Sequence, residues 1–266
     1  MKILIIGAGN MGLTYGEGFI KSHVIRKEDL YFLDHLSEKQ ALTQRLSVHP
    51  LYIIPGPYIA EMDVIVLSVK PQDFDKLSQT IEPYLRKDQL IFSIMAGIDT
   101  QAIHTYLKVE KIIRAMPNLP AQIGLGMTVF TTSQAVDKKD LFIAQNLLNT
   151  TGKAIYTPRE ELLDAATAIS GSGPAFVFFF MDAMISKGVE MGFSESESQL
   201  LVEQTFLGAA QLLKQNNLSC SDWIEKVSSK GGTTEAALTQ FHQQELKQKI
   251  GVGLEAAEKR SKELNT

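Results

Sequence analysis

The sequence predicts an α/β domain built on a doubly wound parallel sheet, followed by an all-α domain. In its first half, short β-branched apolar runs alternate with helix-length mixed segments, the pattern of parallel strands joined by crossover helices. A glycine-rich turn, Gly7-Ala8-Gly9-Asn10-Met11-Gly12, follows the first of these runs directly. After Thr157-Pro158 the strand signal stops and helical periodicity takes over. The expected boundary divides residues 1–157 from residues 158–266.

Residues 2–6, 30–33, 64–69, 90–95 and 111–116 read as strands, because their near-continuous apolar character suits burial on both faces. Two further runs, 127–130 and 154–156, extend the sheet. Beyond the boundary, residues 165–191, Glu195–Gln215, Cys220–Val227 and 243–264 read as helices. Ser194 offers a hydroxyl cap, with Glu195 and Glu197 in the first turn behind it. Residues 176–181 are wholly apolar and continue into Ala183, Met184 and Ile185, with Asp182 the only charge. This stretch is expected to be a buried helix of a soluble core, and it carries more apolar surface than an isolated helix needs, which predicts a homodimer or larger homo-oligomer.

Composition excludes several classes. Lys and Arg number 26 against 30 Asp and Glu, a net charge of −4, so neither nucleic acid nor an anionic membrane has an electrostatic reason to bind. With 44% hydrophobic and 21% charged residues the chain can bury a core. The lone cysteine, Cys220, cannot form an intrachain disulfide, which points to a reducing cytoplasm. The opening apolar run reaches Gly7 too soon to be a signal segment. The five histidines show no metal-ligand spacing, so no metal is expected.

The glycine turn fits G-x-G-x-x-G in strand–turn–helix context, the fingerprint of a Rossmann-type dinucleotide site. Gly7 permits the tight turn, Gly9 the approach of a pyrophosphate, and Gly12 close packing of helix on strand; the helix start then offers free N–H groups to phosphate. Asp34 ends the second strand, where an acid would accept hydrogen bonds from the adenosine ribose and repel a 2′-phosphate. The bland alternative is a surface acid opening a loop. Val69 and Lys70 leave the third strand on the side where α/β sheets bind ligands, although a solvated lysine is the bland alternative. Asn118 sits between Pro117 and Pro120 in a stiffened turn that either presents its amide to a ligand or merely connects elements. Ser170-Gly171-Ser172-Gly173 interrupts a helical pattern, which implies the close approach of something to its glycines. A second glycine turn, Ser228-Ser229-Lys230-Gly231-Gly232-Thr233-Thr234, again opens a helix, and it suits either a small carboxylate or an ordinary cap.

Taken in order and spacing, the glycine loop, Val69-Lys70-Pro71-Gln72, the segment from Arg114 to Ala121, Ser170-Gly171-Ser172-Gly173-Pro174-Ala175 and Gly231-Gly232-Thr233-Thr234 resemble the pyrroline-5-carboxylate reductase family over almost the whole chain. The resemblance implies reduction of 1-pyrroline-5-carboxylate to L-proline with NADPH or NADH, a Rossmann domain, and a helical dimerisation domain whose interface forms the substrate site. It carries cofactor contacts onto Gly7, Gly9, Asn10, Met11, Gly12, Val69, Lys70, Ala96, Gly97 and Asn118, to which the position of Asp34 adds a further candidate. It carries substrate contacts onto Thr233 and Thr234, with the amides of Gly231, Gly232, Thr233 and Thr234 around the carboxylate; Ser229 is a further candidate contact, and the need for one polar group at the imine nitrogen makes Thr234 the candidate catalytic group. Two positions depart from the family pattern. Lys230 stands where a proline is common, and no asparagine occurs near residues 54–56, which leaves NADPH and NADH both open. A 3-hydroxyacid dehydrogenase of similar layout, using Lys214 with Asn216 or Asn217, and a nucleotide-sensing regulatory protein are the competing readings.

Overall fold

A computed structural model describes residues 1–264. The chain divides into two compact units, one of Met1–Gly173 joined by the chain from Ala257 onward, the other Pro174–Ala256.

The first unit is a seven-stranded sheet, from β1 (Ile3–Ile6), β2 (Leu30–Leu33), β3 (Val64–Leu67), β4 (Leu90–Ser93) and β5 (Ile112–Met116) to β6 (Gly126–Thr132) and β7 (Gly152–Tyr156), in the order β2-β1-β3-β4-β5-β6-β7. Strands β1 to β5 pair in parallel, with Ile5 opposite both Phe32 and Val66. The last two strands depart from the expected parallel order. β6 runs antiparallel to β5, because the link between them holds only a short 3-10 turn, Leu119–Ile123, and a parallel crossover needs a dozen or so residues. A full helix, Lys138–Asn149, joins β6 to β7, and that pair is parallel again. β1 and β3 are buried at every position, which is why their sequences do not alternate.

Helices cover both faces. α1 (Asn10–Lys21), α2 (Gln40–Gln44), α3 (Phe74–Ile81), α4 (Thr100–Leu107) and α5 (Lys138–Asn149) are the crossovers. Tyr15, Phe19, Phe32 and Phe92 fill one side of the sheet; Ile59, Phe74, Ile81 and Ile103 fill the other. α6 (Leu162–Ala166) also belongs to this unit, burying Leu163, so the compact unit runs past the expected division at 157/158. Glu160 helps hold it there. Its carboxylate accepts from the Thr100 amide at 2.8 Å, the Thr100 hydroxyl at 2.6 Å and Arg114 at 3.0 Å.

The helix expected over 165–191 is interrupted by a π-helical turn, Thr167–Gly171, closed by the Ser172 amide on the Thr167 carbonyl at 2.8 Å. The partner that Gly171 admits is the end of the Met116 side chain, which a Cβ there would meet at 2.7 Å.

The second unit holds α7 (Gly173–Glu190) from Pro174 on, α8 (Glu195–Gln215), α9 (Cys220–Val227), α10 (Thr233–Gln243) and most of α11 (Leu246–Glu263). Ser194 and Ser219 form full capping boxes with Glu197 and Asp222. The tail read as one helix over 243–264 starts at Leu246 instead, because Glu245 takes φ of 54° and separates it from α10. The expectation that residues 176–181 are buried is corrected: α7 buries none of its residues. Phe178 and Phe179 are 58% and 71% exposed. From Pro174 to Ala256 only Ser198 and Val202 are buried, so this unit has almost no core of its own.

Candidate active site

The strand order reverses between β1 and β3, and a cleft of about 660 Å³ opens beside the carboxyl ends of β1, β2 and β3. Such a switch point is where open α/β sheets bind ligands. The glycine turn forms its floor. Gly7 takes φ of 102°, donates its amide to Leu33 at 2.8 Å, and lies so close to β3 that a Cβ would meet the Ser68 carbonyl at 2.5 Å. At Gly12 a Cβ would be driven into the Gly7 carbonyl, whereas at Gly9 nothing stands within 4 Å. Two glycines therefore serve packing, and the third leaves open space facing the cleft. α1 starts from Gly9 with no side-chain cap, so the first amides of the helix, at Asn10, Met11 and Gly12, remain donors for a phosphate. A dinucleotide pyrophosphate fits this cradle.

Of the other expected cofactor residues, Asp34, Val69 and Lys70 line the same cleft. Asp34 does so mostly from behind, its side chain only 5% exposed. One oxygen accepts from the Ala8 amide at 2.8 Å and from the Lys39 ammonium at 3.2 Å; the other accepts from the Leu36 amide at 3.0 Å. Burial pushes this carboxyl up, but the Leu36 and Ala8 amides and Lys39 together outweigh it and hold it below the ordinary carboxylate value. Asp34 thus ties the glycine turn to the end of β2.

Ala96, Gly97 and Asn118 lie outside this cleft, on loops leaving β4 and β5. Gly97 has φ of 71°, and Leu264 packs where its Cβ would be, at 2.9 Å. The Asn118 amide serves its own surroundings: Oδ1 accepts from the Met127 amide at 2.8 Å and Nδ2 donates to the Ser170 hydroxyl at 3.2 Å. One N–H of Asn118 remains for a ligand.

The second glycine turn lies in the helical unit. Gly231 takes φ of 72°. Its amide donates to the Glu235 carboxylate at 2.6 Å, and the Gly232 amide to the Ser229 carbonyl at 2.9 Å. The expected ring of loop amides is therefore reduced to those of Thr233 and Thr234, the first residues of α10. α10 has Gly232 as its N-cap and no side-chain cap. The ordinary-cap reading of the threonines fails on this point. Thr234 is half-buried, and its hydroxyl makes no hydrogen bond among the described residues.

Sequence reasoning passed over several residues here. Ile53 and Pro55 on one side and Leu77 and Thr80 on the other wall the cleft, and Lys39 and Lys76 put ammonium groups in it. The signal for Lys39 was its spacing of five residues from Asp34. The dehydrogenase alternative loses its support: Asn216 is the end-cap of α8, donating to the Leu212 carbonyl at 2.9 Å, and Lys214 lies exposed in the last turn.

A family model described as pyrroline-5-carboxylate reductase dimerisation matches residues 160–264, and one described as NADP oxidoreductase coenzyme F420-dependent matches residues 2–97. The chain is 33% identical over 266 residues to pyrroline-5-carboxylate reductase 2 of Bacillus subtilis, covering 99% of this chain and 95% of that one. Among solved structures, a pyrroline-5-carboxylate reductase from Coxiella burnetii superimposes with a TM-score of 0.91 at 29% identity, covering 100% of this chain and 98% of that one. The Plasmodium falciparum pyrroline carboxylate reductase, solved with NADP bound, gives 0.89 at 28% identity over the same shares.

Proposed function

The chain belongs to the pyrroline-5-carboxylate reductase family, and from that premise we propose how its own residues divide the work of reducing 1-pyrroline-5-carboxylate to L-proline. It is an oxidoreductase that uses NADPH or NADH. The observation that carries the division of labour is a pair of glycine-capped helix starts with no side-chain cap, α1 in one unit and α10 in the other. Each leaves backbone donors for an anion.

The Rossmann unit binds the dinucleotide. Gly9 and the first amides of α1 take the pyrophosphate, Val69 and Lys70 flank it, and Ala96, Gly97 and Asn118 serve the nicotinamide end. When bound, the reduced cofactor supplies hydride to the C=N carbon. The helical unit binds the substrate. The amides of Thr233 and Thr234 hold its carboxylate, Ser229 and Gly231 shape the loop, and the Thr234 hydroxyl hydrogen-bonds to and orients the ring nitrogen, which takes a proton from solvent water as its carbon gains hydride. Orientation and this one polar group meet the chemical need, with no metal and no covalent nucleophile.

The exposed face of α7 is covered by a second copy of the chain, giving a homodimer or a larger homo-oligomer. The helical stretch Leu162–Glu190 is also long and apolar enough to cross a membrane. The match of 160–264 to a dimerisation family supports a protein partner for it instead. We place the enzyme in the cytoplasm, as a reducing compartment suits its single, exposed thiol, Cys220.

Incubation of the protein with 1-pyrroline-5-carboxylate and NADPH or NADH, side by side, tests the activity. Stoichiometric proline and oxidised cofactor are expected, and cofactor oxidation without proline would refute it.

A further inference from the structure

An acid at the end of β2 ordinarily turns a 2′-phosphate away. In this chain the charge of Asp34 is already engaged, on the Ala8 and Leu36 amides and on Lys39. The carboxylate side chain is 5% exposed and the lysine side chain 26%, so at this corner the lysine is the more accessible of the pair. His35, 82% exposed and 3.6 Å from Asp34, stands beside it as a further donor. Lys76 reaches the same cleft from α3 and Lys70 from the end of β3, against the carboxylates of Asp34 and Asp73. The balance of charge over the cleft lining is thus cationic although the position at the end of β2 is acidic, and a dianionic group beside Lys39 gains charge-assisted hydrogen bonds.

We propose that Lys39 is the cofactor-specificity determinant of this chain, holding Asp34 inward while its outward N–H donors take the 2′-phosphate of NADPH. The proposal rests on the dinucleotide reading of the cleft. Lysine suits the task because its three donors sit on a flexible stem: one stays on Asp34 while the others turn to the phosphate. With NADH the pair simply remains closed, so the same site accepts both cofactors.

Calorimetric titration of the full-length protein with 2′,5′-ADP and 5′-ADP at low ionic strength isolates this corner from hydride transfer. The wild type is expected to bind 2′,5′-ADP at least as tightly as 5′-ADP. Lys39→Met should weaken 2′,5′-ADP on the order of 10- to 100-fold, through loss of a charged hydrogen bond and exposure of the Asp34 charge. It should leave 5′-ADP within about threefold, and this second ligand shows on the same sample that the cleft is intact. Lys39→Arg should restore 2′,5′-ADP binding. Equal binding of both ligands by Lys39→Met and wild type overturns the role of Lys39 alone. Wild-type affinity tenfold weaker for 2′,5′-ADP than for 5′-ADP overturns it in favour of Asp34. Failure of the wild type to bind either fragment overturns the dinucleotide reading together with this one.

Discussion

Thr234, a half-buried residue, stands at the second position of α10, and its hydroxyl has no partner among the described residues. A hydrogen bond between its hydroxyl and the imine nitrogen, accepted by the hydroxyl oxygen once that nitrogen is protonated and charged, is worth roughly 1.5–3 kcal/mol, so Thr234→Val should lower kcat/KM on the order of 10- to 150-fold. Because Gly232 is the N-cap, the melting temperature should hold, and so should NADPH affinity. A lowered melting temperature with normal turnover would assign Thr234 to structure alone. Asp34 is the opposite case, a cleft residue whose bonds point inward. Its carboxyl is held below its unfolded value, so the stability it adds is complete above about pH 4 and is lost as pH falls through the lowered folded value. Asp34→Asn should therefore melt below the wild type at neutral pH, and the gap should close as the pH falls through the carboxyl's lowered folded value. A gap independent of pH would show that the charge itself contributes nothing.

At the level of elements, the glycine turn and the end of α11 are the places where a small change acts at a distance. Gly12→Ala drives a methyl group into the Gly7 carbonyl, which is backbone and cannot swing aside. Overpacking of this kind typically costs about 1–3 kcal/mol, and relief would come from lifting α1 off β1, which opens the pyrophosphate cradle. Cofactor affinity measured by fluorescence titration should fall with it. Toward its end α11 rejoins the Rossmann unit, where the buried Ser261 hydroxyl donates to Asp164 at 2.7 Å and Leu264 packs on Gly97. Ser261→Ala removes one bond to a buried carboxylate and should cost about 1–3 kcal/mol in urea unfolding. If Leu264 steadies the turn after β4, the KM for NAD(P)H should rise as well; an unchanged KM would confine α11 to stability.

For the whole molecule the decisive quantity is the near-absence of a core in the helical unit. Val202 is its one buried apolar side chain, while Phe179, Met191, Leu200 and Val252 are each more than three-fifths exposed. A helical segment of this size cannot offset its conformational entropy with so little burial. On the proposed reading a second copy covers it, and the interface should behave as a core divided between subunits. Light scattering at micromolar protein should give a dimer or a multiple of it, and the melting temperature should rise with protein concentration. Phe179→Glu, which places a charge on the widest exposed aromatic of α7, should yield a monomer or an unfolded helical unit. A wild-type monomer with a concentration-independent melting temperature would rule out the shared core.

Local patterns determined much of this protein. Unbroken apolar runs mark strands buried on both faces, so β1 to β5 could be read directly, and so could the capped start of α8, where the signal lies in four consecutive residues. The glycine turn was local in its pattern, although only Gly12 answers to a neighbour within the same strand–turn–helix unit; Gly7 answers to Ser68 after β3, and Gly9 faces open space. The tertiary structure decided what depends on residues far apart in the chain. The direction of β6 followed from a link too short for a crossover. The roles of Asp34 and Asn118 turned on Ala8, Met127 and Ser170, none of them predictable from the residues alongside. α7 shows the limit most plainly: its composition announces burial, but burial is a property of the surroundings, and within one chain those surroundings are missing.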